Sequence, residues 1–340
     1  MSAPSASQSG PEGSSGPPRH RRRRIGARKL GIEVWVGAGL LAAYLAIALS
    51  AIVVFRGSLG VLTSNPAWVP PFYPIGPSWA HPFGIMAGLG TGLFTAIWKA
   101  TPWDLAIVFS ILAIDAVLGL MLGALAGMRP GGRVDIVVTF VSDSLGAVPA
   151  VFLVIVLFAG VATVAPRDAN LGLFVILFGM VLWPTIARTV RERVRTLSHE
   201  PYIEAARASG ASDTRVLVRH ILPQSLSPVL AQIPLDVGTI FLVLSVFTWF
   251  FNCANPPPPN PRLPPNPWPV PILPAFSPLP YPNFPEWGNL LGVGACWGFT
   301  ITIGPIYWWM FVFPLLAIIG LGLAIGLFCD GVDRWLRMQA

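Results

Sequence analysis

The sequence predicts an all-α integral membrane protein of about six transmembrane helices, on three observations. First, 54% of its 340 residues are hydrophobic and only 11% charged, where a soluble globular domain carries about 25% charged residues; mean hydropathy is +0.66. Second, apolar runs of bilayer-crossing length recur at Val34 to Phe55, Leu105 to Met128, Ile136 to Ala165, Leu171 to Ala187 and Ser225 to Phe251, with a last one from Leu290 to Cys329. Third, arginine and lysine gather between alternate runs, as the positive-inside rule requires of a polytopic chain. The net charge of +7 therefore reports membrane topology. No basic groove interleaved with aromatics is present, which argues against nucleic acid as a partner.

Residues 1–32 form a Ser/Pro/Gly-rich tract and the basic run Arg19-His20-Arg21-Arg22-Arg23-Arg24, then Arg28 and Lys29. This composition predicts a disordered cytoplasmic tail that sets topology with the help of anionic lipid. The first span, 33–55, is too long for the apolar core of a cleaved leader. An extracytoplasmic segment, 56–103, follows, then a transmembrane core, 104–251, that contains a polar loop at 191–223. A proline-rich extracytoplasmic insertion occupies 252–289. Residues 290–340 supply an interfacial segment, the last span and a cytoplasmic end.

The final apolar run is long enough for two spans. Charge decides between one and two. With six spans, 18 of the 22 Arg and Lys residues face the cytoplasm and only Arg56, Lys99, Arg167 and Arg262 lie outside. A seventh span would export Arg334 and Arg337, so six spans with both termini cytoplasmic is the expected arrangement.

The polar loop is the most informative stretch. Pro201 suits a first helical turn, and Glu204, Ala205, Ala206 and Arg207 are helix formers. Gly210 ends that helix, Ser212 and Asp213 cap a second, and Pro223 is expected to stop it. Two short helices with a bend between them are thus set between two spans.

The same residues carry a family resemblance. Glu204-Ala205-Ala206, Gly210 and His220-Ile221-Leu222-Pro223 resemble the EAA motif of bacterial ABC importer permeases, and the R-H-I-L-P form, in which His220 replaces the usual Ile, is similar to the dipeptide and oligopeptide branch. The resemblance continues in His81-Pro82-Phe83-Gly84, in Gly127 to Asp135, in Glu286-Trp287-Gly288-Asn289-Leu290-Leu291 and, loosely, in Gly331-Val332-Asp333-Arg334. After Gly84 the acidic and Arg positions of that branch are absent. The resemblance implies that the loop is a coupling helix docked on an ATPase subunit through Glu204, Ala205, Ala206, Arg207, Gly210, Ser212, Asp213, Leu222 and Pro223. It further implies a second homologous permease, two ATP-binding subunits and an extracytoplasmic substrate-binding protein as partners, with peptides as cargo. The sequence has no phosphate-binding G-x-x-x-x-G-K-[ST] loop, so no catalytic residue or cofactor is expected in this chain; ATP and Mg belong to the partners.

Three acids interrupt apolar runs: Asp115, Asp143 and Asp236. A charge at the bilayer centre costs at least about 2.5 kcal/mol, so each must face protein, water or a partner charge. Asp236 and Asp115 are candidates to line a substrate path, with hydrogen bonding between spans as the alternative; Asp143 reads as structural or near the cytoplasmic end. Between Pro256 and Pro285, 15 of 30 residues are proline, which favours semi-rigid polyproline II and serves either binding-protein docking or spacing. Cys253 and Cys296 flank this insertion on the oxidising side and are a candidate disulfide. No spacing of His and Cys predicts a metal site. Two other classes compete with the importer: an ion-coupled secondary transporter, which lacks the expected inverted repeat of broken helices, and a non-transporting membrane scaffold.

Overall fold

The computed structural model describes residues 31–59, 75–85, 92–162, 170–252, 285–299 and 307–339. The basic tail, most of the proline-rich insertion, Arg167 and Cys253 lie outside them, as does the side chain of Cys296. In chain order the helices are α1 (Ile32–Val54), α2 (Leu93–Met128), α3 (Arg133–Gly146), α4 (Ala150–Ala162), α5 (Asn170–Leu197), α6 (Pro201–Ala208), α7 (Asp213–Val216), α8 (Leu222–Gln224), α9 (Leu226–Asn252), α10 (Trp287–Phe299) and α11 (Trp308–Gln339). Among the described residues, extended pairing is limited to isolated bridges of Ile85 with Ile75 and Gly92.

Among the described residues, five helices, α1, α2, α5, α9 and α11, are long and apolar enough to cross a membrane. The stretch expected as a single span, Ile136 to Ala165, is not one straight helix. It is split into α3 and α4, which meet at 95°. Pro149 explains the break: it has no N–H to continue α3 and it biases Val148 away from helical geometry, while its carbonyl accepts from Phe152 N at 3.0 Å to start α4.

Helix α2 begins at Leu93, twelve residues before the predicted Leu105. Its 36 residues measure about 54 Å, well beyond a hydrocarbon core of about 30 Å. The added turns are packed rather than free. Lys99 is 2% exposed, donates to Ser58 O at 3.2 Å and lies 4.9 Å over the Phe55 ring. Its burial, amid one large apolar helix, is why composition alone read this stretch as outside the span.

Helices α2 and α5 form the central pair. Gly119, Gly123 and Gly127 make a stripe at four-residue spacing on α2. A Cβ at Gly119 would come 2.6 Å from the Ile186 side chain, at Gly123 2.5 Å from Ala187 O and at Gly127 2.6 Å from Arg191 O. The glycines thus let two backbones touch, the packing that holds membrane helices together where lipid is as apolar as the side chains. Around this pair, Phe158, Phe174, Phe178, Phe241, Phe247 and Trp287 build a buried aromatic core with α4, α9 and α10.

The last apolar run resolves into the short α10 and the span α11. Glu286, fully buried, caps α10 by accepting from Gly288 N at 2.5 Å and Asn289 N at 2.7 Å. Asp104 of α2, also fully buried, accepts from Trp287 N at 3.1 Å, and Trp287 Nε1 donates to Ile97 O at 3.1 Å. The Glu286-Trp287-Gly288-Asn289 segment is therefore a buried, hydrogen-bonded junction joining α10 to α2. Nearby, the His81 to Gly84 turn closes with Gly84 N donating to His81 O at 2.8 Å; Gly84 takes φ +77°, and Phe83 stacks on Phe313 at 4.1 Å.

Candidate functional site

The polar loop folds much as its residues dictate. Pro201 sits at the start of α6, where its missing N–H has no helical partner to lose. Beyond the C-cap Ser209, Gly210 adopts φ +89°. Gly210 N then donates to Arg207 O at 2.9 Å and Ala211 N to Ala206 O at 3.1 Å, a Schellman closure that spends the last carbonyls of α6 inside the turn. Ser212 caps α7, its hydroxyl accepting from Arg215 N at 3.4 Å.

Pro223 does not end the second helix as expected. Between α7 and α8 the chain widens into a π-turn, Leu217–Ile221, with Leu222 N donating to Leu217 O five residues back. The wider turn relieves the clash of the Pro223 ring with the preceding carbonyls, so helix runs past Pro223 to Gln224. A single turn residue, Ser225, then separates α8 from the span α9.

Its apolar side is sunk into the end of the central pair. Ile203, Val216 and Ile221 are fully buried against Val190, Val194 and Leu197 of α5 and Ala124 of α2. Burying three such side chains stabilises the seat by about 1.5–3 kcal/mol each. The other side is open: Glu204, Ala205, Ala208, Ser209 and Gly210 are exposed, and so are Ser212, Asp213 and Pro223. Ala206, Arg207 and Leu222 are half-buried. Arg207 turns inward, donating to Ser198 O at 3.3 Å and lying 3.6 Å from Asp213.

Below the loop, Arg191 of α5 grips Asp135 of α3. Its Nε and Nη2 both donate to that carboxylate, the latter at 3.1 Å, and Gly131 N donates to Asp135 Oδ2 at 2.8 Å. This ties the Gly127 to Asp135 turn to the helix that carries the loop. Sequence reading counted Arg191 only as one basic residue among many; the pairing depends on residues 56 apart.

The in-membrane acids separate into two environments. Asp115 of α2 and Asp236 of α9 are neighbours inside the subunit. Both are buried, at 0% and 4% exposure. Gln232 Nε2 donates to Asp236 at 3.0 Å, while no N–H or hydroxyl among the described residues reaches Asp115. Asp143, by contrast, is exposed at the end of α3, 3.9 Å from Arg188 of α5. Asp104 drew no notice in the sequence because it falls just outside the predicted span, and Glu286 stood out there only as part of the segment that resembles the family. The candidate disulfide of Cys253 and Cys296 lies outside the described side chains; Cys329 is a buried free thiol.

Residues 119–255 match the family model described as the binding-protein-dependent transport system inner membrane component. That stretch runs from the glycine stripe of α2 through the loop to the end of α9. The chain is 31% identical over 258 residues to a glutathione transport system permease protein of Pectobacterium atrosepticum, covering 76% of this chain and 72% of that one. It is 33% identical over 165 residues to an oligopeptide transport system permease protein of Bacillus subtilis, covering 48% and 51% of the two chains. A dipeptide transport system permease protein of Alkalihalophilus pseudofirmus is 31% identical over 185 residues, covering 54% and 58%. With its bundle of membrane-crossing helices and its seated polar loop, the chain belongs to the family of binding-protein-dependent transport system inner membrane components.

Proposed function

We propose that this protein is the membrane-spanning permease subunit of an ATP-driven ABC importer for di- or oligopeptides, working with a second homologous permease, two ATP-binding subunits and an extracytoplasmic substrate-binding protein. The observation that carries the reading is the two-sided loop: its Ile203, Val216 and Ile221 are locked into α5, while Glu204 and Ala205 face outward. The small Ala205 admits close approach of a partner surface, and Glu204 offers a charge to a basic residue there.

The loop is cytoplasmic in this reading, on the side that collects most of the arginine and lysine, and both termini lie with it. ATP and Mg bind the partner subunits. Closure of those subunits around ATP pulls on the loop, and the closely spaced helices α7, α8 and α9 pass the movement into a span. The seat on α5 and the Arg191–Asp135 grip deliver the same displacement to α2 and α3. The path between the two permeases then opens alternately to each side, a population shift driven by the partner's nucleotide. Peptide cargo is the reading supported by the glutathione, oligopeptide and dipeptide transport permeases among its relatives.

The test is co-purification and uptake. The Glu204→Lys and Ala205→Trp variants, expressed with the other subunits, are expected to reach the membrane, lose ATPase subunits in mild detergent and lose peptide uptake. Retention of the ATPase subunits and of coupled hydrolysis by both variants refutes the reading.

A further inference from the structure

We propose that the hairpin of residues 75–85 is a docking finger for the extracytoplasmic substrate-binding protein, with Trp79 as the anchor that enters an apolar socket on that partner. The proposal rests on the importer reading above and on the orientation given there, which puts this segment outside.

The finger is built by short-range chemistry. Ile75 and Ile85 exchange backbone hydrogen bonds at 3.2 and 2.9 Å, and Ser78 and His81 do the same at 2.9 and 3.1 Å, so Trp79 and Ala80 alone form the tip. His81 N also donates to Ser78 Oγ at 3.2 Å. Between 75 and 85 there is no Asp, Glu, Lys or Arg. Trp79 is fully exposed, whereas the next most exposed tryptophan among the described residues, Trp35, stands at 66%. Ile75, Pro77, Ala80 and Pro82 are exposed beside it. A large apolar side chain held away from its own protein by a hydrogen-bonded turn marks a contact surface. Tryptophan is also among the residues that most often anchor protein interfaces, and a preformed turn spares the partner the cost of ordering it.

The seat of the finger favours a soluble partner over lipid. Gly84 O accepts from Leu93 N at 2.9 Å, at the start of α2. Phe83 stacks on Phe313 of α11 and meets Phe94 of α2 edge-on. A Cβ at Gly84 would come 2.8 Å from the Trp309 ring, so the base rests on the first turn of α11. From Trp309 to Arg334 that helix rises about 38 Å, more than a hydrocarbon core of about 30 Å. Arg334 pairs with Glu33 at the other end, and the base of the finger therefore stands past the outer edge of the apolar layer. The family depends by its description on a binding protein, which meets the membrane component on this side. Helix α2 carries the finger at Leu93 and, about 47 Å along, the seat of the polar loop at Ala124. One helix thus joins the docking point to the ATPase contact.

The experiment titrates the assembled transporter with its purified binding protein and follows ATP hydrolysis, both in phosphatidylethanolamine–phosphatidylglycerol nanodiscs and in dodecyl maltoside. Each curve is divided by the hydrolysis measured without binding protein. Trp79→Ala is expected to raise the concentration of binding protein for half-maximal stimulation at least about tenfold and to reach the wild-type plateau. Ala80→Asp, a charge at the exposed tip, is expected to act in the same direction, and Trp79→Phe to stay within about threefold of wild type. An unchanged half-maximal concentration in Trp79→Ala and Ala80→Asp overturns the finger while leaving the importer reading intact. A shift seen in nanodiscs and absent in detergent assigns Trp79 to lipid and overturns it equally. Wild-type hydrolysis that no concentration of binding protein stimulates overturns the importer reading and the finger with it.

Discussion

Arg207 and Asp213 lie 3.6 Å apart across the bend at Gly210, joining the two short helices of the polar loop. The pair is solvent-screened, with side chains 37% and 58% exposed. Exposed ion pairs contribute about 0–1 kcal/mol, so the backbone of Gly210 holds the bend more firmly than the charges do. Asp213→Ala is expected to change the thermal midpoint of the purified subunit by no more than about 1 kcal/mol equivalent. Gly210→Ala, forced to φ +89° with open space around its new methyl, is expected to cost about 1–2 kcal/mol of local strain. Thermal melts in detergent compare the two, and an equal or larger effect of Asp213→Ala contradicts this ranking.

Ile203 gives a sharper handle on transmission. It is fully buried against the end of α5 and touches no outward surface. Ile203→Ala is expected to cost about 2–5 kcal/mol, releasing the loop from its seat. On the proposed docking through Glu204 and Ala205, ATPase subunits are expected still to bind, with hydrolysis proceeding without peptide uptake. Binding and uptake lost in parallel would mean that the seat merely folds the loop.

The glycine stripe predicts a size limit. Gly123→Val adds three carbons where the first already lies 2.5 Å from the Ala187 carbonyl. Backbone cannot yield as a flexible side chain can, so α2 and α5 must separate. The variant is expected to accumulate poorly in membranes, whereas Gly172→Val, with nothing within 4 Å of its Cβ, should accumulate like the parent. Quantitative blotting of membrane fractions distinguishes them.

Asp115 and Asp236 predict a substitution that helps. The one side-chain amide, Gln232, bonds Asp236 and leaves Asp115 without an N–H donor among the described residues. Asp236→Asn supplies an amide opposite Asp115 and removes one acid from the interior, so thermal stability is expected to rise by about 1 kcal/mol. Because both residues are enclosed by their own subunit, uptake should remain within about twofold. A large loss of uptake with unchanged stability would return these acids to the substrate path.

Much of the outline was legible in the chain. Five spans, the bend at Gly210 and the Ser212 cap follow from apolar length and turn chemistry, which act over a few residues and leave their mark in local order. Pro149 and Pro223 were visible too, yet their outcomes diverged. Pro149 broke its span. Pro223 did not, because a π-turn absorbed its ring, and no local rule distinguishes these results without knowing what each helix packs against.

The sequence by itself determined the membrane class, the position of the polar loop and, through its spaced residues, the family. These depend on hydrophobic length and on short patterns. Tertiary structure alone decided that Asp115 meets Asp236, that Arg191 holds Asp135, that Asp104 steadies Trp287 from another helix and that Arg188 faces a cavity beside Asp143. Each joins residues far apart in the chain, and such partners are chosen by the rotation and depth of packed helices, which composition does not encode.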